Sequence, residues 1–318
     1  MIRSRFEQFA GAERQGHPPL SNTTVRSLSP RDNAIGTAFV LFSAVGVVFL
    51  PTSAKIAYLD GSNVNTVAFA RGIIAVVLLA FVAMVVRQRF RLPRELLRPS
   101  LVSGVAQALF VYGVYSAITS INISLALLIL YLYPIVLALY QHLEGSSRLR
   151  GPQWLCAAVC VAGLALILGV QIDQISPGGV AFALMSMLAT VVITLTNYRV
   201  TSHLGSLVSN FYMSLWSLVI FLVVLLVAGN FAEPRSLVGW SALAGNGLAY
   251  CVAWVAFFAG ARILGATRAS MLSLVEPPGA ALGAWLLFGE TYTSLQWFGF
   301  AVVLAALFGF EYLSREKA

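Results

Sequence analysis

The sequence predicts an all-α integral membrane fold, with ten transmembrane helices arranged as two inverted five-helix repeats. Three observations carry that expectation. Of the 318 residues, 59% are hydrophobic and only 10% charged, with a mean hydropathy of +0.84, whereas a soluble domain is about a quarter charged. Apolar runs of about 20 residues, the length that crosses roughly 30 Å of hydrocarbon, recur between short polar turns. The second half of the chain also repeats the first at a constant offset.

Residues 1–32 stand apart. They hold Arg3, Arg5, Arg14, Arg26 and Arg31, with Pro18 and Pro19 and no run apolar enough to insert, so they read as a disordered cytoplasmic tail. The charged start, apolar core and small-residue cleavage site of a secretory signal are not seen there. Spans are then predicted over 33–58, 64–86, 100–119, 123–140 and 152–170, and over 178–198, 207–228, 237–260, 267–288 and 294–312. Pro152 suits a first helical position and Ser294 an N-cap. Turn formers separate the spans, as in Asp60-Gly61-Ser62-Asn63, Ser176-Pro177-Gly178 and Gly229-Asn230. The first repeat is taken as 33–171 and the second as 172–313, with 314–318 a cytoplasmic C-terminus.

The net charge of +8 does not point to nucleic acid, because no soluble domain is left to carry a basic face. It follows membrane topology instead, since Lys and Arg of short loops stay cytoplasmic. With both termini inside the inner membrane, every basic residue except Lys55, Arg71 and Arg235 falls on the cytoplasmic side. Asp60, Asp173, Glu233 and Glu290 fall outside. Cys156, Cys160 and Cys251 all lie in apolar runs and read as small buried hydrophobes, not as a disulfide framework.

The repeat becomes visible on sliding the chain by 143 residues. Ala38-Phe39-x-Leu41-x-Ser43 returns as Ala181-Phe182-x-Leu184-x-Ser186, Gly104 as Gly247, Pro134 as Pro277, and Gln153-Trp154 as Gln296-Trp297. An odd number of spans per copy inverts the second copy in the membrane, an arrangement that supplies two equivalent packings for alternating access. A period of half the chain excludes a solenoid.

Ionisable groups inside the bilayer cost at least about 2.5–3.5 kcal/mol at a helix centre, so Lys55, Arg71 and Glu276 need a reason to be there. Lys55 lies nearest a surface and can snorkel. Arg71 lies roughly 10 Å and Glu276 roughly 14 Å into its span, which predicts neighbouring layers near the midplane, with an Arg71–Glu276 ion pair as the structural alternative to a substrate site. Arg71 suits a carboxylate or phosphate by its bidentate fork. Glu276 precedes Pro277 and Pro278, which should break or kink the helix as Pro134 should in the other copy, leaving carbonyls free beside a carboxyl able to carry a proton. Gln107, Tyr112, Tyr115, Tyr131, Tyr133, Asn246, Tyr250 and Trp254 are the polar and aromatic side chains that could line a cavity. No nucleotide-hydrolysis loop, metal-ligand set or catalytic triad is recognisable, so neither a cofactor nor a metal is implied.

Residues Ala126 to Glu144, reading ALLILYLYPIVLALYQHLE, and their partner from Ala269 to Glu290, reading ASMLSLVEPPGAALGAWLLFGE, resemble the EamA-like family of the drug/metabolite transporter superfamily. The resemblance runs over about residues 33–313. Lys55 and Arg71 also fall where such proteins often carry a Lys and an Arg. It implies an exporter or exchanger of a small metabolite, often coupled to protons, with the site between the halves. Tyr133 stands where the second copy has Glu276, so paired carboxylates are not part of this chain's pattern. The expected partners are the lipid bilayer, a small-molecule substrate and protons. An amino acid or similar zwitterion is the first substrate expected, a lipophilic cation or drug the alternative. A membrane-embedded enzyme is the rival class, disfavoured because no cluster of His, Asp or Glu sits at a bilayer surface.

Overall fold

A computed structural model describes residues 29–118, 120–147, 149–169, 176–288 and 291–315. Most of the N-terminal tail, the Lys55 side chain, Asp173 and Glu290 lie outside the described residues. The helices are α1 (Pro30–Leu59), α2 (Val64–Val85), α3 (Arg94–Ile118), α4 (Ile123–Leu130), α5 (Tyr133–Glu144) and α6 (Gly151–Ile167). They continue as α7 (Pro177–Leu204), α8 (Ser206–Ala228), α9 (Leu237–Leu264), α10 (Ala266–Leu272), α11 (Glu276–Phe288) and α12 (Ser294–Arg315). No strand occurs among the described residues. Among the described residues, seven stretches are long and apolar enough to cross a membrane: Val64–Val85, Arg94–Ala117, Ser124–Glu144, Pro177–Leu204, Ser206–Ala228, Leu237–Leu264 and Ser294–Ser314. Gly151–Ile167 is apolar but shorter.

Local chemistry sets the helix ends. Asn63 accepts from the Thr66 amide at 2.9 Å and Asn122 from Ser124 at 2.9 Å, N-caps that satisfy otherwise orphaned donors. Gly205 and Gly265, at φ 82° and 89°, are the single residues joining α7 to α8 and α9 to α10, a conformation that disfavours any Cβ. Pro152 lies in the first turn of α6 as expected, whereas Ser294 is already helical. The cap of α12 is Thr293, whose hydroxyl accepts from the Gln296 amide.

The two short helix pairs are breaks within single rods. α4 stops at Leu130 and α5 starts at Tyr133; α10 gives way to a 3-10 turn at Ser273–Val275 before α11. These breaks sit one repeat offset apart, each just ahead of its proline. Pro134, Pro277 and Pro278 occupy first turns, where a missing N–H removes no helical bond, and the ring of each disfavours a continuous helix through the residues before it.

Packing follows the same offset. The most extensive interfaces are α1 on α9, α3 on α7, and α6 on α12, followed by α2 on α8. Gly36 of α1 meets Leu264 and Ile263 of α9, while Gly179 of α7 meets Ile121 and Ser120 just beyond α3, which are the same positions moved by 143. The Cys160 thiol points at the carbonyl of its own equivalent, Val303, at 3.9 Å. The twinned Gln-Trp pairs gain a reason too. The Gln153 side chain accepts from the Arg150 amide at 2.9 Å and that of Gln296 from the Thr293 amide at 2.9 Å. Their amide nitrogens then reach across the α6–α12 interface to Ser314 and to the Ile167 carbonyl.

At that interface a Cβ on Gly299 would lie 2.7 Å from Leu166 Cβ and 2.8 Å from the Gly163 carbonyl oxygen. Neither atom is the end of a flexible side chain. Gly299→Ala should therefore destabilise the protein by about 1–3 kcal/mol, measured as a lower unfolding temperature in detergent. An unchanged midpoint would mean that α6 and α12 separate freely.

The molecule is apolar outside and partly polar within. Phe42, Phe81, Leu226, Val227 and Phe308 are more than half exposed, while Ser103, Gln107, Thr194, Asn197, Asn210 and Ser214 are buried. Lipid accounts for the first set; the second needs partners inside. At the Asp60 end, the α1–α2 turn is tied to the α8–α9 connection. Asp60 accepts from the Ser236 amide at 2.8 Å and its hydroxyl at 2.9 Å, and the Asp60 carbonyl accepts from Arg235 at 3.1 Å. The Ser236 amide foremost, against some desolvation and with help from the Ser236 hydroxyl and Arg235, holds the Asp60 carboxyl below its usual value.

Candidate functional site

The predicted site residues fall into two groups. The first lies where α2, α3, α8 and α9 converge, and Arg71 of α2 is its centre. Arg71 is 7% exposed, and its guanidinium carbon sits 4.7 Å from the centroid of the Tyr250 ring on α9. The Tyr250 hydroxyl is 3.3 Å from Ser214 Oγ on α8. Trp254, one turn further along α9, stacks on Phe258 at 5.8 Å and meets Phe110 of α3 edge-on at 6.2 Å. Tyr115 joins from α3 with its ring edge-on to Tyr58 at 5.9 Å.

Gln107 of α3 is 1% exposed, and neither its amide nitrogen nor its oxygen has a hydrogen-bond partner. Such a group costs about 1–3 kcal/mol unless something meets it. The repeat gives these side chains a common logic. Arg71 and Ser214 are equivalent positions, and so are Gln107 and Tyr250, so the four are two pairs related by the offset of 143.

The second group lies at the paired helix breaks. Glu276 begins α11, and the Tyr131 hydroxyl donates to its carboxylate at 3.4 Å. The Tyr133 hydroxyl is 2.6 Å from Ser273 Oγ in the 3-10 turn. Ser273 and Ser270 each donate to the carbonyl three residues back, at 2.8 Å, and Thr267 bonds Gln141 of α5. A stripe spaced by three residues thus leads from Glu276 along α10 towards one end of the bundle.

Two expectations are corrected by this geometry. Arg71 and Glu276 belong to different groups and make no ion pair. The ion pair seen among the described residues is Arg268–Glu311. Tyr112 turns outward, 49% exposed against Phe182, and joins neither group. Asn246 is engaged structurally: its amide donates to the Leu50 carbonyl at 2.8 Å and to Ser53 at 2.9 Å, holding α1 near Pro51.

Sequence reasoning missed Ser214, which the repeat offset from Arg71 would have found. It also missed Asn197, fully buried with both side-chain polar atoms unpartnered, and Asn210, which donates to the Ser206 carbonyl at 2.7 Å. Their signal was polar spacing inside apolar spans, with Thr190, Thr194, Asn197 and Thr201 on one face of α7. Glu311 went unremarked because it lies at the very end of its span.

No curated protein matches the chain. A crystal structure is similar to it over 89% of this chain and 98% of its own, at 16% identity with a TM-score of 0.70, a likeness that shows the fold alone. The family model described as the EamA-like transporter family matches twice, over residues 34–169 and 177–311. Two matches that divide the chain as its own repeat does, and together span most of it, make this chain a member of the EamA-like transporter family.

Proposed function

We propose that the chain is a secondary transporter that exports or exchanges a small metabolite across the cytoplasmic membrane by alternating access. The observation that carries this reading is the offset-matched packing. Contacts of α1 with α9 recur between α7 and the end of α3, while α6 meets its own equivalent α12. Two copies related by a two-fold axis in the membrane plane make such reciprocal contacts, and two spatially equivalent halves can exchange conformations. On this reading the ten spans are α1, α2, α3, α4 with α5, α6, α7, α8, α9, α10 with α11, and α12. Residues 33–171 form one copy and 172–313 the other, with both termini cytoplasmic.

Substrate is held at the Arg71 centre, and an amino acid or similar zwitterion is the first class to test. The exchange of halves makes a specific demand there. In the opposite-facing state Gln107 takes the place of Tyr250, meeting Arg71 and Ser214 from α3. The unpartnered Gln107 amide supports this, since its donor and acceptor suit those two groups. Glu276 carries the coupling proton at the paired breaks. A lipophilic cation is the second reading, supported by a carboxyl that stands beside tyrosines with no basic partner among the described residues.

The test compares metabolites of medium and cells with and without overexpression, with cysteine labelling as its topological arm. A solute should accumulate outside, and a cysteine beside Arg91 should label only after permeabilisation, whereas one beside Asp173 labels from outside. External labelling beside Arg91 would falsify the orientation, and unchanged metabolite pools would remove the export reading.

A further inference from the structure

We infer that the Arg71 centre recognises the carboxylate of a ring-bearing organic acid and leaves any amino group of that acid unread. The inference rests on the proposed substrate site and specifies what that site selects. A guanidinium inside a membrane fold requires compensation, and among the described residues this one has the Tyr250 ring and no carboxylate. Stacking on a ring offsets only part of the cost of taking the charge out of water, and it uses the cation's face while leaving its N–H donors for an in-plane acceptor.

No acid is offered there among the described residues. α2, α8 and α9, the helices that bring Arg71, Ser214 and Tyr250 together, contain no Asp or Glu at all. α3 has Glu95 in its first turn, and α1 has Asp32 in its first turn with Asp60 as its C-cap. Asp60 is engaged by Ser236. Glu276 sits with Tyr131 and Tyr133 in the other group. The acceptor must come with the substrate, and an anion presented to a guanidinium fork is most simply a carboxylate.

The groups shown around that point are neutral. Ser214 shares its hydroxyl with Tyr250, Tyr250, Trp254, Phe110 and Phe258 supply ring surface, and the repeat makes the unpartnered Gln107 amide the equivalent of Tyr250. A substrate ammonium would find only neutral oxygens, so it adds little affinity. Recognition therefore depends on the acid and the ring. A lipophilic cation would meet repulsion from Arg71, which gives the site a negative selection as well as a positive one.

Three probes of one skeleton separate the alternatives: 3-phenylpropionate, phenylalanine and 2-phenylethylamine. Each is titrated into the purified full-length protein in detergent while its unfolding temperature is followed. The first two should raise it, at concentrations within about threefold of each other, and 2-phenylethylamine should not. Arg71→Gln should weaken 3-phenylpropionate by about tenfold to a hundredfold, and Arg71→Lys should weaken it less while keeping the order of the three. Without ligand, Arg71→Gln should unfold no earlier than the wild type, because it removes an uncompensated buried charge. A lower midpoint would mark Arg71 as packing and overturn the proposal.

Stabilisation by 2-phenylethylamine, no shift with 3-phenylpropionate, or an unaltered response in Arg71→Gln would each overturn it too. Counterflow of the same probes in proteoliposomes keeps the two readings apart. Binding without exchange removes the transport reading and leaves the anion site standing. Exchange of 2-phenylethylamine that ignores Arg71→Gln does the reverse.

Discussion

Glu311→Leu should destabilise the protein by about 3 kcal/mol, the lower end of the range for removing one partner from a buried ion pair. Arg268 at the start of α10 reaches both carboxylate oxygens of Glu311 near the end of α12, its Nε at 2.9 Å, and the same guanidinium bonds Asn33 in the first turn of α1. Both side chains are about nine-tenths buried, at 12% and 11% exposure. Removing the carboxylate leaves the guanidinium with the Asn33 amide alone, at a junction of three helices drawn from both halves. The double variant Arg268→Leu with Glu311→Leu should recover most of the loss, because an apolar pair leaves no charge to compensate. Thermal unfolding of the two single variants and the double variant gives the coupling directly. Additive losses would show that the pair is screened by water and contributes little.

This junction also shows what could be read from residues alone. The charge pattern puts Arg268 at the cytoplasmic end of the span predicted over 267–288, yet nothing in the chain order says that Asn33 and Glu311 meet it there. The repeat, by contrast, was legible: an offset of 143 predicted paired breaks before Pro134 and Pro277, and both occur. Rise per residue is fixed, so the distance of Arg71 and Glu276 along their spans could be counted. Lateral position could not, since it depends on which helix faces which, and α2 lies against α8 and α9 while Glu276 meets Tyr131 at the break between α4 and α5. Tyr112 could have been excluded by arithmetic. Five residues beyond Gln107 is about 140° around a helix, so the two could not line one cavity together. Gln153 and Gln296 were visible as a motif, but their double task of capping one helix and bonding another needed the packed pair.

Glu276→Gln should leave the protein folded and inserted and abolish the pH dependence of transport. Glutamine keeps the shape of the side chain and an oxygen that accepts from the Tyr131 hydroxyl, so the contact at the α4–α5 break survives. It cannot gain or lose a proton. Among the described residues, the titratable groups facing Glu276 are Tyr131 and Tyr133, phenols that ordinarily stay protonated throughout a physiological range and cannot replace it. In this arrangement the carboxyl is half-buried beside the Tyr131 hydroxyl at the break between α4 and α5. An opening at these breaks would expose it to water on one side, so the proton could be taken up on one face and released on the other. Transport by wild-type proteoliposomes should therefore vary between about pH 5.5 and 8 and respond to an imposed pH gradient, while the variant should run at one flat rate, lower by about tenfold or more where the wild type is fastest. The Ser270 and Ser273 hydroxyls, bonded to carbonyls of their own helix, keep their places in the variant, so the path beside the carboxyl is unaltered and only the proton carrier is lost. If Glu276→Gln instead transports at the wild-type rate with the wild-type pH profile, the carboxyl merely fills the helix break and the coupling proton, if there is one, travels with the substrate.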